Sequence, residues 1–205
     1  MYLLKPGNHK LSRTIGIWNL PRTSCIGKTN KCYKYCYGKT FERMNTVKHA
    51  RAFRYDLTQK QTFVDLIVLE IKYRELNKVR IHEVGDFYDQ TYLNKWKDIA
   101  RLCPNTDFLC YTKALCLDLW NNKPYNLIIF QSYDGKYDEL IDENKHTARV
   151  INDKSELRDN EHLCPYNKSN FDKCGITCKY CFLDIKDKHV AFIIHSKFRH
   201  KRNKK

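Results

Sequence analysis

A chain of 205 residues, 42% of them hydrophobic, is long enough to bury one sizeable core without disulfide staples, and no apolar run in it approaches the roughly 18 residues of a membrane-spanning helix. Lysine and arginine outnumber aspartate and glutamate by 38 to 23, a net charge of +15 that favours a polyanionic partner, nucleic acid first. The opening MYLLKPGNHK lacks a signal-type apolar region, which predicts an intracellular, cytoplasmic protein whose clustered cysteines are metal ligands or catalytic groups rather than disulfides.

In chain order, TIGIWNL (14–20) reads as a first strand, stopped by Pro21, and a loop carrying Cys25, Cys32 and Cys36 follows. KTFERMNTVKHARAF (39–53) reads as a helix. TQKQTFVDLIVLEIKYREL (58–76) reads as a longer amphipathic one, with Thr58 as its N-cap and Phe63, Leu66, Ile67 and Glu70 at helical spacing. VRIHEV (79–84) is strand-like and ends at Gly85, after which TYLNKWKDIARLC (91–103) is helical, with Asp89 as its cap. DFLCYT (107–112) is a strand, KALCLDLWNN (113–122) a short helix, NLIIFQS (126–132) a strand and TARVIN (147–152) a weaker one. A cysteine-rich segment then interrupts, and HVAFIIHS (189–196) is the last strand.

Strands alternating with helices predict parallel βα units, about six-stranded, forming either an incomplete barrel or an open doubly wound sheet. The expected organisation is an α/β unit over 1–160, a four-cysteine metal-binding segment over 161–186, the last strand over 187–196 and a basic tail over 197–205. Six of the last nine residues are Lys or Arg, a tail suited either to solubility or to phosphates.

In parallel α/β folds, ligands sit where strands end and loops begin. Cys25, Cys32 and Cys36 follow the first strand; His82, Glu83 and Asp86 end the second; Tyr111, Thr112 and Lys113 the third; Gln131, Ser132 and Tyr133 the fourth. These groups are expected to converge on one mouth. Three thiolates leave a metal or four-iron cluster with an open position, as a reactive site requires, although core cysteines or a zinc site completed by a residue such as His49 are alternatives. Cys164, Cys174, Cys178 and Cys181 offer four thiolates, a closed structural zinc site or a second cluster, with Gly175 letting the backbone bend. Cys103, Cys110 and Cys116 are isolated and expected in the core. Asp86 is a candidate to bind a ligand or move a proton, and Lys113 to bind phosphate or carboxylate. His82 and Glu83, on opposite faces of a strand, compete with the simpler reading of satisfied core groups. Aromatic residues interleaved with basic ones in KCYKYCYGKTF and CKYCF suit base stacking or packing around a metal loop.

The order of strand, cysteine loop, helix and Gly-acid turn resembles the radical S-adenosylmethionine enzymes, through CYKYCYG and VGDF. That resemblance implies a four-iron cluster on Cys25, Cys32 and Cys36, S-adenosylmethionine at its open iron, and Asp86 beside cofactor or substrate. The spacing departs from that family's: the early loop has C-x6-C-x3-C, and the C-x3-C-x2-C pattern occurs instead at Cys174, Cys178 and Cys181. The whole chain is similar to a group of phage and plasmid proteins, the gene product 88 family, through TSCIGKTNKCYKYCYG, GDFYDQTYLNKW with YTK after it, and CGITCKYCF. That likeness implies a mobile-element origin, hence a host cytoplasm, and no particular activity.

The expected function is a metal-cluster-dependent, iron–sulfur enzyme acting on nucleic acid or a nucleotide, without a membrane partner. The alternatives are a zinc-stabilised nucleic-acid-binding protein, or a base-exchange enzyme resembling tRNA-guanine transglycosylases with Asp86 as nucleophile.

Overall fold

The computed structural model describes residues 2–167, 174–183 and 188–194. The basic tail and parts of the four-cysteine segment, 168–173 and 184–187, lie outside the described residues.

Among the described residues eight strands form one mixed sheet: β1 (Lys5–Pro6), β2 (Ile15–Trp18), β3 (Lys78–Ile81), β4 (Asp107–Thr112), β5 (Leu127–Ser132), β6 (Thr147–Ile151), β7 (Glu161–Leu163) and β8 (His189–Ile193). Their order is β1-β2-β3-β4-β5-β6-β8-β7; only β1 pairs antiparallel, and the sheet does not close on itself. From β2 to β6 each strand lies beside the next in sequence. A doubly wound sheet reverses its order at a switch point; none occurs between β2 and β6, and the order changes only beyond β6, where β8 lies between β6 and β7.

Among the described residues five α-helices accompany the sheet: α1 (Asn30–Tyr35), α2 (Gly38–Phe41), α3 (Asn45–Thr58), α4 (Phe63–Tyr73) and α5 (Gln90–Leu102). None of the helices among the described residues is long and apolar enough to cross a membrane. Strand alternation divides the side chains between two faces. Trp18, Val79, Ile81, Phe108, Cys110, Leu127 and Ile129 point to the face covered by α4 and α5. There Phe63, Ile67 and Ile71 of α4 and Tyr92, Leu93, Trp96 and Ile99 of α5 complete the larger core, as helical spacing requires. Trp18, Phe63 and Trp96 form its centre, with ring centroids 5.3 to 6.1 Å apart. The opposite face carries Ile15, Ile17, Leu109, Ile128, Phe130, Ala148 and Val190, and it is covered by the late cysteine segment through Cys181 and Phe182.

The strand over 107–112 stands as expected, and Asp89 caps α5 through Oδ1, which accepts the Tyr92 N–H at 2.7 Å. Several expectations are corrected. The strand count is eight rather than six, because β1 and β7 are too short to show a period. The helix expected over 39–53 is broken between α2 and α3, where Met44 is extended. Thr58 does not cap the next helix: it ends α3, buried, with Oγ1 on the Tyr55 carbonyl at 2.5 Å and on the Tyr88 hydroxyl at 2.7 Å. The second parallel strand stops at Ile81, since His82 turns to a positive φ of 59°.

KALCLDLWNN is not helical. Thr112 Oγ1 takes the Ala114 N–H and Asp118 Oδ1 takes the Asn121 N–H, local partners that compete with a helix. Buried Lys97 of α5 then donates to the carbonyls of Asp118 and Asn121, both at 2.8 Å, and anchors that connection. Cys116, expected in the core, is exposed on it.

Because Trp96 is fully buried at the centre of the aromatic cluster, Trp96→Ala is expected to lower stability by about 3–5 kcal/mol, read as a lower urea midpoint at an unchanged slope.

Candidate functional site

The loop that leaves β2 is built to bring three thiols together. Ser24 Oγ donates to the Pro21 carbonyl at 2.8 Å, and Lys28 Nζ donates to the carbonyls of Thr23 and Cys25 at 3.0 and 2.8 Å, so the loop curls around its own lysine. Thr29 caps α1, its Oγ1 accepting the Cys32 N–H at 3.0 Å. Cys32 and Cys36, four residues apart at the body and end of α1, then share one side of that helix. Gly27 passes so close to β4's exit that a Cβ there would lie 1.8 Å from the Lys113 carbonyl oxygen, which explains glycine at that place. The Gly27 carbonyl accepts the Lys136 N–H at 2.9 Å, which ties the loop to the exit of β5 as well.

Asp86 stands at the junction of these pieces. It is buried, its N–H donates to Ser24 Oγ at 3.3 Å, and its carboxylate accepts three hydrogen bonds: from the Phe87 N–H at 2.8 Å, the Thr112 hydroxyl at 2.6 Å and the Lys113 N–H at 2.8 Å. Gly85, at φ +88°, makes the turn that delivers it. Burial pushes the Asp86 carboxyl up to about 6, and those three hydrogen bonds hold it from rising further. The Cys25 thiol is raised by burial first and by the neighbouring Asp86 charge second, with Cys36 and Cys32 close enough to add to the effect. The Cys32 thiol is raised by burial and drawn back by the Lys113 ammonium. That ammonium donates to the Ser132 carbonyl at 3.4 Å and to the Tyr133 carbonyl.

The four late cysteines sit on the opposite wall. The turn 174–178 is closed by the Gly175 N–H on the Cys178 carbonyl at 2.8 Å, with Gly175 at φ +89°. It is fastened to the start of the chain by the Cys174 N–H on the Lys10 carbonyl at 2.9 Å. Cys181 is buried and its thiol is pushed up to about 12 by burial, with Cys174 and Cys164 near enough to act on it. Lys10 Nζ lies 3.8 Å from Cys164 Sγ. All seven thiols are free, and all seven line a single cavity of about 920 Å³ that also receives Glu83, Asp86, Arg80 and Lys113. The two cysteine sets, more than a hundred residues apart in sequence, therefore face one space.

As the side chains stand, no three His, Cys, Asp or Glu groups among the described residues are close enough to hold one metal ion. The thiols are gathered into two sets but not drawn into a coordination shell, and binding a metal requires them to turn toward a common centre. The chemistry of the donors fits such a centre: reduced thiols, three in one set and four in the other, around one cavity.

A family model described as Gene product 88 matches residues 2–203. The chain belongs to the gene product 88 family. It is 25% identical to the Gene 88 protein of Mycobacterium phage L5 over 170 residues, which cover 75% of this chain and 68% of that protein. No solved structure matches it.

Against the sequence-based candidates of this family member, the structure brings Cys25, Cys32, Cys36, Asp86 and Lys113 to one end of the sheet as expected from the strand–loop rule. Tyr111, Ser132 and Tyr133 join them at the cavity, while Thr112 and Gln131 turn inward, Gln131 donating to the Asp142 carbonyl at 2.8 Å. His49 is exposed on α3 and does not line the cavity. His82 is a core histidine, with Nε2 2.8 Å from the Tyr92 hydroxyl and its ring edge-on to Phe87. Burial first, and the Arg80 charge second, lower its pKa to about 3 and keep it neutral. Glu83 accepts from the side-chain amides of Asn8 and of Asn19, the latter at 3.2 Å.

Sequence reasoning missed Arg80, Lys10 and the shared cavity. The signal for Arg80 was present: in VRI, valine and isoleucine claim one face, which leaves the arginine on the other.

A folded-state pKa of about 6 for Asp86, above the 3.8 of a free aspartate, means the folded protein holds that proton more tightly. Its contribution to stability is complete below about pH 4 and is lost as pH rises through 6, by up to about 3 kcal/mol. Thr112→Val removes a hydrogen bond that favours the charged form, so carbon-13 NMR of the carboxyl should find Asp86 titrating above 6 in that variant. A wild-type titration below 4 would show that the three donors outweigh burial.

Proposed function

We propose that this protein is a metal-cluster-dependent enzyme of a mobile element, acting on a nucleic acid or nucleotide, with Cys25, Cys32 and Cys36 as the ligands of its reactive centre. The observation that carries this reading is the three-thiol loop at the carboxyl end of the first parallel strand, facing a cavity and fastened to the Gly-acid turn of the next strand through Ser24 and Asp86. The unreversed order of β2 to β6 supports the partial-barrel form of the α/β fold over the doubly wound one. A phage protein among the relatives is in keeping with a mobile-element origin and a host cytoplasm.

Three thiolates fit an iron–sulfur cluster that keeps one position open, and such a cluster supplies one-electron chemistry to a ligand such as S-adenosylmethionine. The chain's own residues do the positioning. Asp86, whose oxygens all accept donors from β4's end and its own turn, fixes the backbone around the thiol loop at the wall of the cavity. Lys113, held by two carbonyls beside Cys32, keeps a positive charge next to the thiol that must ionise to bind metal. Glu83 presents a carboxylate to the same cavity, where it can accept from a bound ligand. Cys164, Cys174, Cys178 and Cys181 form the second centre, structural zinc or a further cluster. A buried Asp86 with every oxygen engaged gives little support to attack on a sugar, as base exchange requires.

Protein purified without oxygen should contain iron and acid-labile sulfide and show a broad band near roughly 400 nm that changes with S-adenosylmethionine. Cys32→Ala and Cys36→Ala should each remove the band's response to that ligand, whereas Cys178→Ala should leave it in place. Zinc alone, with no band after cluster reconstitution, would end this reading and leave a zinc-stabilised nucleic-acid-binding protein.

A further inference from the structure

We propose that the cavity between the two thiol sets is a nucleotide site, in which Arg80 and Lys10 take the phosphate and the ring of Phe192 takes the base. This deepens the reading above by naming the ligand of its cavity, and it rests on that cavity being the working site.

Arg80 is out of place in its surroundings. On the strand it pairs with Ile17 on one side and Leu109 on the other, and both neighbours belong to the apolar core of that face. An arginine inserted into an apolar row is costly unless its charge is matched. Among the described residues no carboxylate pairs with it. Among the same residues its side chain makes one hydrogen bond, a long one, Nη2 to the His82 carbonyl at 3.4 Å, and its buried Nε has no partner. The guanidinium lies over the Tyr111 ring, 4.0 Å from the centroid, which holds the plane in place but leaves its donors unused.

The second cation completes the pattern. Lys10 Nζ stands 5.0 Å over the Phe192 ring, and Phe192 meets Tyr111 edge-on at 5.6 Å. Two cations therefore bracket two aromatic rings on one wall of the cavity. Two positive charges suit a phosphate dianion, for which the guanidinium offers paired donors and the ammonium a point charge. Tyr111 lies between the guanidinium and Phe130, on which it stacks at 5.0 Å, so it buttresses Arg80 and leaves the Phe192 ring to take a base, which stacks whatever its identity. The volume of about 920 Å³ lies at the upper end of pockets that enclose one small ligand, so the occupant is a nucleotide rather than a duplex.

The test is calorimetry on the full-length protein at low salt, using the four ribonucleoside 5′-monophosphates with the matching nucleosides as controls. At least one monophosphate should bind at least about tenfold more tightly than its nucleoside, with inorganic phosphate competing. Arg80→Gln should abolish that phosphate-dependent gain, and Arg80→Lys should keep part of it. Equal binding of monophosphate and nucleoside, no binding of any monophosphate, or wild-type affinity in Arg80→Gln would each overturn the proposal. The wild-type comparison needs no variant to fold. Cys32→Ala protein that has lost its iron but still prefers the monophosphate would support the phosphate site independently of the metal. Wild-type protein that takes up iron and sulfide but binds no monophosphate would overturn this inference and leave the metal-dependent reading standing.

Discussion

The Asp86 carboxylate organises this molecule's working end. With three hydrogen bonds it joins its own turn to the exit of β4, and through Ser24 it joins both to the loop that carries the first thiols. Each donor is a backbone amide or a buried hydroxyl, and each would lose its partner without the carboxylate. The position of Cys25, the close pass of Gly27 over Lys113, and the mouth of the cavity all follow from that junction.

Much of the fold was legible because period-2 and period-3.6 patterns report burial, and burial is what the core of β4, β5 and α5 consists of. DFLCYT and NLIIFQS alternate between two apolar faces and appear as strands almost to the residue. KALCLDLWNN misled because its leucines have helical spacing, whereas its backbone is claimed by Thr112, Asp118 and Lys97, which are tertiary or very local partners. Thr58 misled in the same way: a threonine before an apolar run is a cap only if the chain is not already helical, and its hydroxyl instead serves Tyr88 from a distant turn. β1 and β7, at two and three residues, exist only through their neighbours and carry no period of their own.

The candidate site was legible as a set of residue types and strand ends, and illegible as a volume. Cysteine spacing separated a group of three from a group of four, but nothing in the spacing says that both look into one cavity. That convergence depends on the late segment folding back over the apolar inner face of the sheet, where Phe182 and Cys181 pack beside Val190 and Phe130. The same packing brings Lys10 and Arg80 within reach of the second thiol set.

The strand order has a consequence for how the chain is made. β8, the last described strand in sequence, lies between β6 and β7 in space. β7 therefore emerges from the ribosome before β8, the strand it pairs with among the described residues, and it cannot find its place until β8 has been synthesised and inserted. The segment that covers the inner face, with Cys181 and Phe182, precedes β8 and packs beside Val190 of that strand, so its seat is incomplete until β8 is in place. The cavity is thus completed only when β8 is in place: a nascent chain arrested before that strand carries all seven thiols and an unfinished site.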